Sequence, residues 1–245
     1  VDASSDDAYD PLSNQTVTVT TTDDDTVGYT LSGTTVTVAE TGTTATFTVV
    51  LDTQPSTDVV LTVTSADTGE ATVSPSTLTF TNGNWDSTQT VTVTGIDDVI
   101  LDGPQDTTVT IAVDDGSSDN TYDDVADQTV TVTTSDDDSP GISIAQTEGS
   151  TVVGENGSID TFDAVLTTQP LSDVVVSISS ADTGEATVSP STLTFTDGNW
   201  DTTRTVIVTG VDDTIDDGNQ DTTVTIAVVD ASSDDAYDPL SNQTV

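Results

Sequence analysis

Valine and threonine alternate along much of this chain, as in Thr16–Val19 and Thr90–Val93. Alternation with a period of two places apolar side chains on one face of a strand and polar side chains on the other. The sequence has no helical periodicity, and turn residues separate the alternating runs. In the first half of the chain the pattern predicts strands near 35–39, 44–51, 58–64, 77–80, 88–95, 106–113 and 127–134. Short strands at this spacing are typical of a β-sandwich of immunoglobulin-like size.

Two internal repeats organise the sequence. Residues 66–81 recur letter for letter at residues 181–196, which is 115 positions later. Residues 1–17 recur at residues 229–245, which is 228 positions later. The first offset has the length of one domain, and the second is close to twice that length. The sequence therefore predicts an all-β fold of tandem immunoglobulin-like sandwiches, with two alternating domains in each repeat unit.

Domain boundaries follow from these offsets and from the acidic triplets that close the runs of strands. We expect residues 1–25 to be the C-terminal strands of a preceding repeat, residues 26–138 to be the first sandwich and residues 139–245 to be the second. The last strand of the second sandwich is expected to be incomplete. Either the next repeat of a longer chain or residues 1–25 of a neighbouring chain would complete it, the latter by donor-strand pairing. The expected partners are therefore neighbouring repeats or identical subunits, joined head to tail.

Acidic residues dominate the charge of the chain. There are 44 Asp and Glu residues against 1 Lys or Arg, and the formal net charge is -43. Nucleic acids and anionic membranes are excluded as partners, because their charge repels such a surface. High charge with few aromatic residues also occurs in disordered chains, but here the acids cluster between runs typical of strands. A compact state would repel itself, which indicates either bound cations or a generic acidic surface suited to salty water.

The acidic clusters lie at the ends of the predicted strands. Because these ends can meet at one end of a sandwich, they offer hard oxygen ligands that suit Ca²⁺ better than Mg²⁺. The alternative is solvated loop charge with no bound ion. The candidate metal ligands of the first sandwich are Glu40, Asp97, Asp98, Asp102, Asp136, Asp137 and Asp138. Those of the second are Glu155, Asp212, Asp213 and Asp217, and the triplet Asp23, Asp24 and Asp25 matches residues 136–138.

Three short motifs resemble those of Calx-beta domains: VAETG at 38–42, VTVTGIDD at 91–98 and TVTVTTSDDD at 129–138. In that family the early Glu, the Asp pair and the terminal Asp triplet bind calcium. The resemblance implies that calcium is bound by Glu40, Asp97, Asp98, Asp136, Asp137 and Asp138, and in the second domain by Glu155, Asp212 and Asp213. Two features depart from the family pattern. Asp102 and Asp217 stand where the family often has Glu, and the segment 114–127 is unusually long.

Repetition and residue chemistry together favour a structural role outside the cell. The chain has no Cys and no His, and its carboxylates are grouped like ligands, so we expect no enzyme activity. No apolar stretch reaches the roughly 18 residues that span a membrane. Almost no Lys or Arg is present for trypsin-like proteases to cleave, which suits an extracellular material. The sequence predicts an extracellular or cell-surface repeat segment, namely the calcium-stiffened rod of a filament or an adhesin shaft. The alternative is a calcium- or carbohydrate-binding module.

Overall fold

The computed structural model describes Ala8, residues 13–216 and residues 218–245. Its regular structure is almost entirely β-strand, interrupted by short 3₁₀ turns, and it forms two β-sandwiches with separate hydrophobic cores. The sequence-based prediction of an all-β fold of immunoglobulin-like sandwiches is thus confirmed. Residues 13–25 are exposed and form no strand. Among the described residues, no helix is long and apolar enough to cross a membrane.

The first sandwich consists of two facing sheets. Its strands are β1 (Tyr29–Leu31), β2 (Thr35–Ala39), β3 (Thr44–Leu51), β4 (Val59–Ser65), β5 (Ala71–Ser74), β6 (Thr77–Phe80), β7 (Gln89–Gly95), β8 (Gln105–Val113) and β9 (Gln128–Ser135). One sheet has the order β1-β3-β7-β5 and the other β2-β9-β8-β4-β6. Strands β2 and β9 pair in parallel, and the other pairs are antiparallel. The predicted strands all form, and β1 and β5 are additions that were too short to stand out as alternating runs.

The alternating valines build the core of this sandwich. Val91 and Val93 of β7 are fully buried, as are Val130 and Val132 of β9, while the threonines between them face outward or are half-buried. Burying an apolar side chain of this size stabilises a fold by roughly 1.5–3 kcal/mol. The period-two pattern of the sequence is therefore the pattern of the core.

The second sandwich repeats this plan with two differences, because it has no counterpart of β2 among the described residues and its last strand is short. Its strands are β10 (Ile142–Gln146), β11 (Ile159–Leu166), β12 (Val174–Ser180), β13 (Ala186–Ser189), β14 (Thr192–Phe195), β15 (Arg204–Gly210), β16 (Val224–Val228) and β17 (Gln243–Thr244). The sheet orders are β10-β11-β15-β13 and β14-β12-β16-β17. The two-residue strand β17 stands where the first sandwich has the whole of β9.

The long segment 114–127 folds against the turn that follows β3. Asp119 is buried, and its Oδ2 accepts hydrogen bonds from the N–H and the hydroxyl of Ser56 at 2.8 and 2.6 Å and from the N–H of Thr57 at 3.0 Å. The hydroxyl of Tyr122 donates to the carbonyl of Thr53 at 2.7 Å. Hydrogen bonds from Ser56, Thr121 and Thr57 hold the pKa of Asp119 far below its usual range. The carboxylate is satisfied by protein donors, which gives this segment a structural role.

Candidate metal centre

Three strand ends meet at one end of the first sandwich. Glu40 follows β2, the loop 96–102 follows β7, and Asp136 follows β9. Because β2 and β9 run in parallel, their C-terminal ends lie at the same edge, and Glu40 donates its N–H to the carbonyl of Ser135 at 3.1 Å. Gly95 allows the end of β7 to lie directly against the end of β2, because a Cβ at Gly95 would be only 2.2 Å from the carbonyl oxygen of Ala39. The fold thus brings acids from distant parts of the sequence together.

Backbone donors orient the carboxylates at this end. One carboxylate oxygen from each of Glu40, Asp136 and Asp138 lies within 4.8 Å of the others. Asp136 accepts hydrogen bonds from the N–H of Gly103 and the N–H of Asp138, each at 2.7 Å. Asp98 accepts one from the N–H of Ile100, also at 2.7 Å. The loops therefore hold the acids in place without neutralising their charge.

Glu40 is the most unusual member of the group. Its side chain is only 1% exposed, and neither of its carboxylate oxygens has a hydrogen-bond partner among the described residues. Within the same part of the chain, Glu70, Asp102 and Asp138 each hold one buried carboxylate oxygen without a partner. Leaving a buried acceptor unpaired costs about 1–3 kcal/mol, and more when the group is charged. Such oxygens call for a ligand that supplies positive charge.

Burial, together with repulsion from neighbouring carboxylates, raises the pKa values of these carboxyls. Burial, and then the charges of Asp136 and Asp98, raise the pKa of Glu40 to about 7. The backbone N–H of Asp137 lies close enough to lower this pKa in part, without forming a hydrogen bond to either oxygen. Burial also raises the pKa values of Glu70, Asp102 and Asp138, and neighbouring carboxylates add to each rise. Glu40, Glu70, Asp98, Asp102, Asp136 and Asp138 together are called the acidic cluster below.

Glu70 belongs to the acidic cluster but was missed by the sequence-based prediction. It lies just before β5, and its carbonyl accepts a hydrogen bond from the N–H of Ile96 at 2.9 Å, which places it beside the loop 96–102. A signal was present, because glutamate is rare in this acidic sequence. It occurs 5 times, and the pairs Glu40 with Glu155 and Glu70 with Glu185 recur between the two domains.

The other predicted ligands of the first sandwich lie at the rim of the cluster. Asp97 and Asp137 are exposed, and both lie near enough to Asp138 to contribute to its raised pKa. The structure therefore gathers Glu40, Asp98, Asp102, Asp136 and Asp138 with Glu70, and leaves these two residues more open to solvent.

The second sandwich does not gather its predicted ligands in the same way. Glu155 and Asp212 are exposed, Asp213 is half-buried, and Asp217 lies outside the described residues. Within the described ranges, no group of acids with ligating geometry forms around Glu155. The matching triplet Asp23, Asp24 and Asp25 has its carboxylate oxygens within 4.8 Å of one another, but it is exposed and distant in sequence. Among the described residues of the second sandwich, no strand end brings an acidic triplet to Glu155 as β9 brings residues 136–138 to Glu40.

The loop that carries Asp98 and Asp102 also contacts the second sandwich. The N–H of Gln169 donates to the carbonyl of Val99 at 2.8 Å, and the N–H of Leu101 donates to the carbonyl of Gln169 at 3.0 Å. The Leu101 side chain packs against the core of the second sandwich. One short loop therefore links the acidic cluster on one side to the neighbouring sandwich on the other.

The residues present fit a calcium ion. The acidic cluster supplies carboxylate oxygens from several directions, and Ca²⁺ takes six to eight oxygen ligands in flexible geometry. Mg²⁺ demands near-octahedral geometry and keeps several waters, so it fits a crowded set of carboxylates less well. The chain cannot neutralise the cluster itself, because Arg204, in β15 of the second sandwich, is its single basic residue and it has no His.

Comparisons with known proteins give only loose likenesses. No family model matches the chain, and no curated protein matches it. The calcium binding domain CBD12 of CALX1.1 is 15% identical over 82% of this chain and 79% of that chain, with a TM-score of 0.36. Domains 4 and 5 of the S-layer protein SbsC are 21% identical over 76% and 68%, with a TM-score of 0.33. The E. coli chaperone DraB is 7% identical over 82% and 92%, with a TM-score of 0.34. Such values carry no weight for function.

Proposed function

We propose that this chain is a calcium-binding structural repeat of an extracellular protein. In this proposal the acidic cluster binds Ca²⁺ and thereby fixes the junction between the two sandwiches. The observation that carries it is Glu40, a carboxylate that is 1% exposed and has no hydrogen-bond partner for either oxygen among the described residues. A bound cation removes the cost of burying this charge, and the carboxylates act as ligands and not as catalytic acids or bases.

Calcium binding at this place would stiffen the junction. Asp98 and Asp102 lie on the loop whose backbone bonds to Gln169 of the second sandwich. An ion that binds those two carboxylates holds the loop in one conformation, and so holds the contact that the loop makes with the next domain. A row of such domains then becomes a rod, because each junction loses its hinge freedom.

The repetition of the domain and the typical affinity of extracellular calcium sites both support an extracellular rod. Extracellular calcium modules bind with Kd values of about 10⁻⁴ to 10⁻³ M, so ambient calcium outside the cell keeps them filled. The repeated domains suit a spacer, such as a filament or the shaft of an adhesin, which needs many similar units. The short motifs that resemble Calx-beta domains point to the same ion.

Calorimetric titration of the 245-residue chain with Ca²⁺ tests the binding. We expect binding at the first sandwich and a rise in melting temperature, because a ligand that binds only the folded state stabilises it by mass action. Glu40→Gln should weaken that site by at least about tenfold, which corresponds to roughly 1.4 kcal/mol. Glu155→Gln is the matched control, since Glu155 is the exposed counterpart in the second sandwich. Absence of calcium binding, or equal losses in the two variants, would contradict the proposal.

Small-angle scattering tests the stiffening separately. With calcium the chain should scatter as one extended particle of fixed maximum dimension, and with EGTA it should become more flexible. Electron microscopy of several linked units should show a rod that bends more readily after chelation. If EGTA changed neither the contour length nor the stiffness, the stiffening role would be contradicted, even if calcium binds.

A further inference from the structure

The sequence contains two Asn-Gly pairs, Asn82-Gly83 and Asn156-Gly157. In such a pair the backbone nitrogen of the glycine can attack the side-chain amide of the asparagine, because glycine has no Cβ to block the approach. All four residues are exposed, and each pair lies in a turn. Water therefore reaches both sites equally, and the hydrogen bonds around each turn decide which of the two reacts.

Ring closure at an Asn-Gly pair requires the peptide group between the two residues to rotate. The glycine nitrogen loses its proton to hydroxide and forms a bond to Cγ of the asparagine, while the bond from Cγ to the side-chain nitrogen breaks. That nitrogen takes a proton from water and leaves as ammonia, which gives a five-membered succinimide. Water then opens the ring at one of its two carbonyls. The products are aspartate and isoaspartate, whose main chain runs through the side-chain carboxyl group.

The peptide group between Asn82 and Gly83 is held from both sides. The carbonyl oxygen of Asn82 accepts a hydrogen bond from Nε2 of Gln54 at 2.9 Å. The N–H of Gly83 donates to the hydroxyl of Thr81 at 3.2 Å. Oδ1 of Asn84 fixes Thr81 in turn, because it accepts from the N–H and the hydroxyl of Thr81 at 2.6 and 3.1 Å. Rotation of this peptide group would break hydrogen bonds on both of its sides.

The peptide group between Asn156 and Gly157 is held from one side only. The N–H of Gly157 donates to the carbonyl of Gly154 at 3.2 Å, but the carbonyl oxygen of Asn156 accepts no hydrogen bond from any described residue. Oδ1 of Asn156 accepts one from the N–H of Ser158 at 3.2 Å. A donor on Oδ1 stabilises the negative charge that this oxygen gains when Cγ is attacked. This turn therefore leaves the peptide group freer to rotate and activates the carbon that reacts.

The turn around Asn156 has a counterpart in the first sandwich, where the strand before it is paired. That turn spans Ala39–Thr43 and follows β2, which pairs with β9. Gly42 has a φ of +81° and Gly157 a φ of +79°, so the two turns share their backbone conformation. Thr41 is exposed at the position of Asn156. The conformation of the turn thus does not depend on how the strands beside it pair, and only the second sandwich carries an amide there.

We propose that Asn156 deamidates spontaneously to aspartate and isoaspartate, and that the hydrogen bonds around Asn82 protect that residue from the same reaction. Each conversion places a new carboxylate beside Glu155, and the isoaspartate form adds one methylene group to the main chain of the turn. The reaction consumes only water. It does not depend on calcium, because no member of the acidic cluster lies in either turn.

Peptide mapping of the 245-residue chain after incubation with EGTA in mildly alkaline buffer tests the proposal. A protease that cleaves after glutamate releases residues 156–185, in which Asn156 is the single asparagine, and separates them from residues 71–148, which contain Asn82. Mass spectrometry with fragmentation measures the change from amide to acid at each site, and isoaspartyl methyltransferase labels the isoaspartate. We expect Asn156 to convert at least about fivefold faster than Asn82, because one more hydrogen bond must break at Asn82.

Unfolding the same chain in urea shows the intrinsic reactivity of the two pairs. Both pairs consist of the same two residues, so their rates should lie close together once the turns are lost. Asp197 stands at the position of Asn82 in the second sandwich, so the aspartate product fits that turn. Slow conversion of Asn82 in the folded chain would therefore reflect the hydrogen bonds of the reactant.

Gln54→Ala tests the protection directly. It removes the donor to the carbonyl of Asn82 and should accelerate conversion there by about fivefold, while Asn156 in the same molecules is the internal control and should keep its rate. Equal rates at the two sites of the folded parent chain would overturn the proposal. The same holds if Asn156 stays intact in the folded chain for as long as the unfolded chain needs to convert, or if Asn82 stays slow in Gln54→Ala.

Discussion

The backbone N–H of Gly103 donates a 2.7 Å hydrogen bond to Oδ2 of Asp136. This bond ties the loop that carries Asp98 and Asp102 to the end of β9, across a gap of more than thirty positions in the sequence. Gly103 has a φ of +71°, a left-handed conformation that L-residues with a Cβ adopt only at a cost. The geometry of the acidic cluster therefore depends on a glycine that contributes no carboxylate.

Gly103→Ala should weaken calcium binding at the first sandwich. Left-handed backbone costs a residue with a Cβ roughly 1–2 kcal/mol, and the loop can relieve that strain by moving the N–H away from Asp136. We expect about a tenfold loss of affinity by calorimetric titration. Gly218→Ala is the control, because Gly218 has a φ of +79° and lies in the second sandwich. Equal effects of both substitutions on this site would show that the Gly103 hydrogen bond does not position Asp136.

The calcium-free protein should lose stability as the pH rises from about 5.5 to 8. The pKa of Glu40 is about 7 in the folded protein and near 4.3 in an unfolded chain, so the folded state holds a proton that the unfolded state releases. The stability contributed by that proton is present below the unfolded pKa and is lost as the pH rises through the folded pKa. Burial raises the pKa values of Glu70, Asp102 and Asp138 in the same direction.

Thermal melts in EGTA across this pH window measure the effect. Ordinary carboxylates are already ionised there, so their titration does not obscure that of Glu40. Glu40→Gln should flatten the dependence, and saturating calcium should remove it, because the ion replaces the proton. If the melting temperature of the parent chain in EGTA stayed constant from pH 5.5 to 8, burial would not raise the pKa of Glu40 in the folded protein.

Strand positions and most of the acidic cluster could be predicted from the sequence because each has a local signature. Alternating Thr and Val give the period of a strand, and Asp97, Asp98 and residues 136–138 follow such runs directly. Glu70 follows a turn and precedes the short strand β5. Its place in the acidic cluster becomes visible only in the folded structure, where β5 pairs with β7. The absence of a strand at residues 150–154, the counterpart of β2, was also hidden, because whether a short strand forms depends on the neighbours that pair with it.

Glu70→Gln should lower calcium affinity without disturbing the fold. Its half-buried carboxylate has one oxygen without a partner among the described residues. Burial, and then the charges of Asp102 and Asp98, raise its pKa. Removing one charged ligand should cost about 1.5–3 kcal/mol of binding free energy, which is the range for a hydrogen bond to a charged group. In the calcium-free form the same substitution should relieve repulsion between the carboxylates. Asp86→Asn, at an exposed acid, provides the control. An affinity equal to that of the parent chain would exclude Glu70 as a ligand.

Asp119→Asn should loosen the turn after β3 while leaving calcium binding intact. The Asp119 carboxylate accepts hydrogen bonds from the N–H groups of Ser56 and Thr57 and from both the N–H and the hydroxyl of Thr121. A neutral amide cannot accept from all of these donors, because one of its two polar atoms is itself a donor. The loss of one charged acceptor from these part-buried hydrogen bonds is worth about 1.5–3 kcal/mol.

Hydrogen exchange measured by mass spectrometry reads this change at the turn itself. The amides of Ser56 and Thr57 should exchange roughly 10 to 100 times faster in Asp119→Asn, since each factor of ten corresponds to about 1.4 kcal/mol of local opening. Asp115→Asn, at an exposed acid of the same segment, should leave them unchanged. Asp234→Asn should act only on the second sandwich, where Asp234 accepts from the N–H of Ser172 at 2.9 Å. Unchanged exchange at Ser56 and Thr57 would mean that the turn is held by the hydroxyl of Tyr122 on Thr53 and not by the carboxylate.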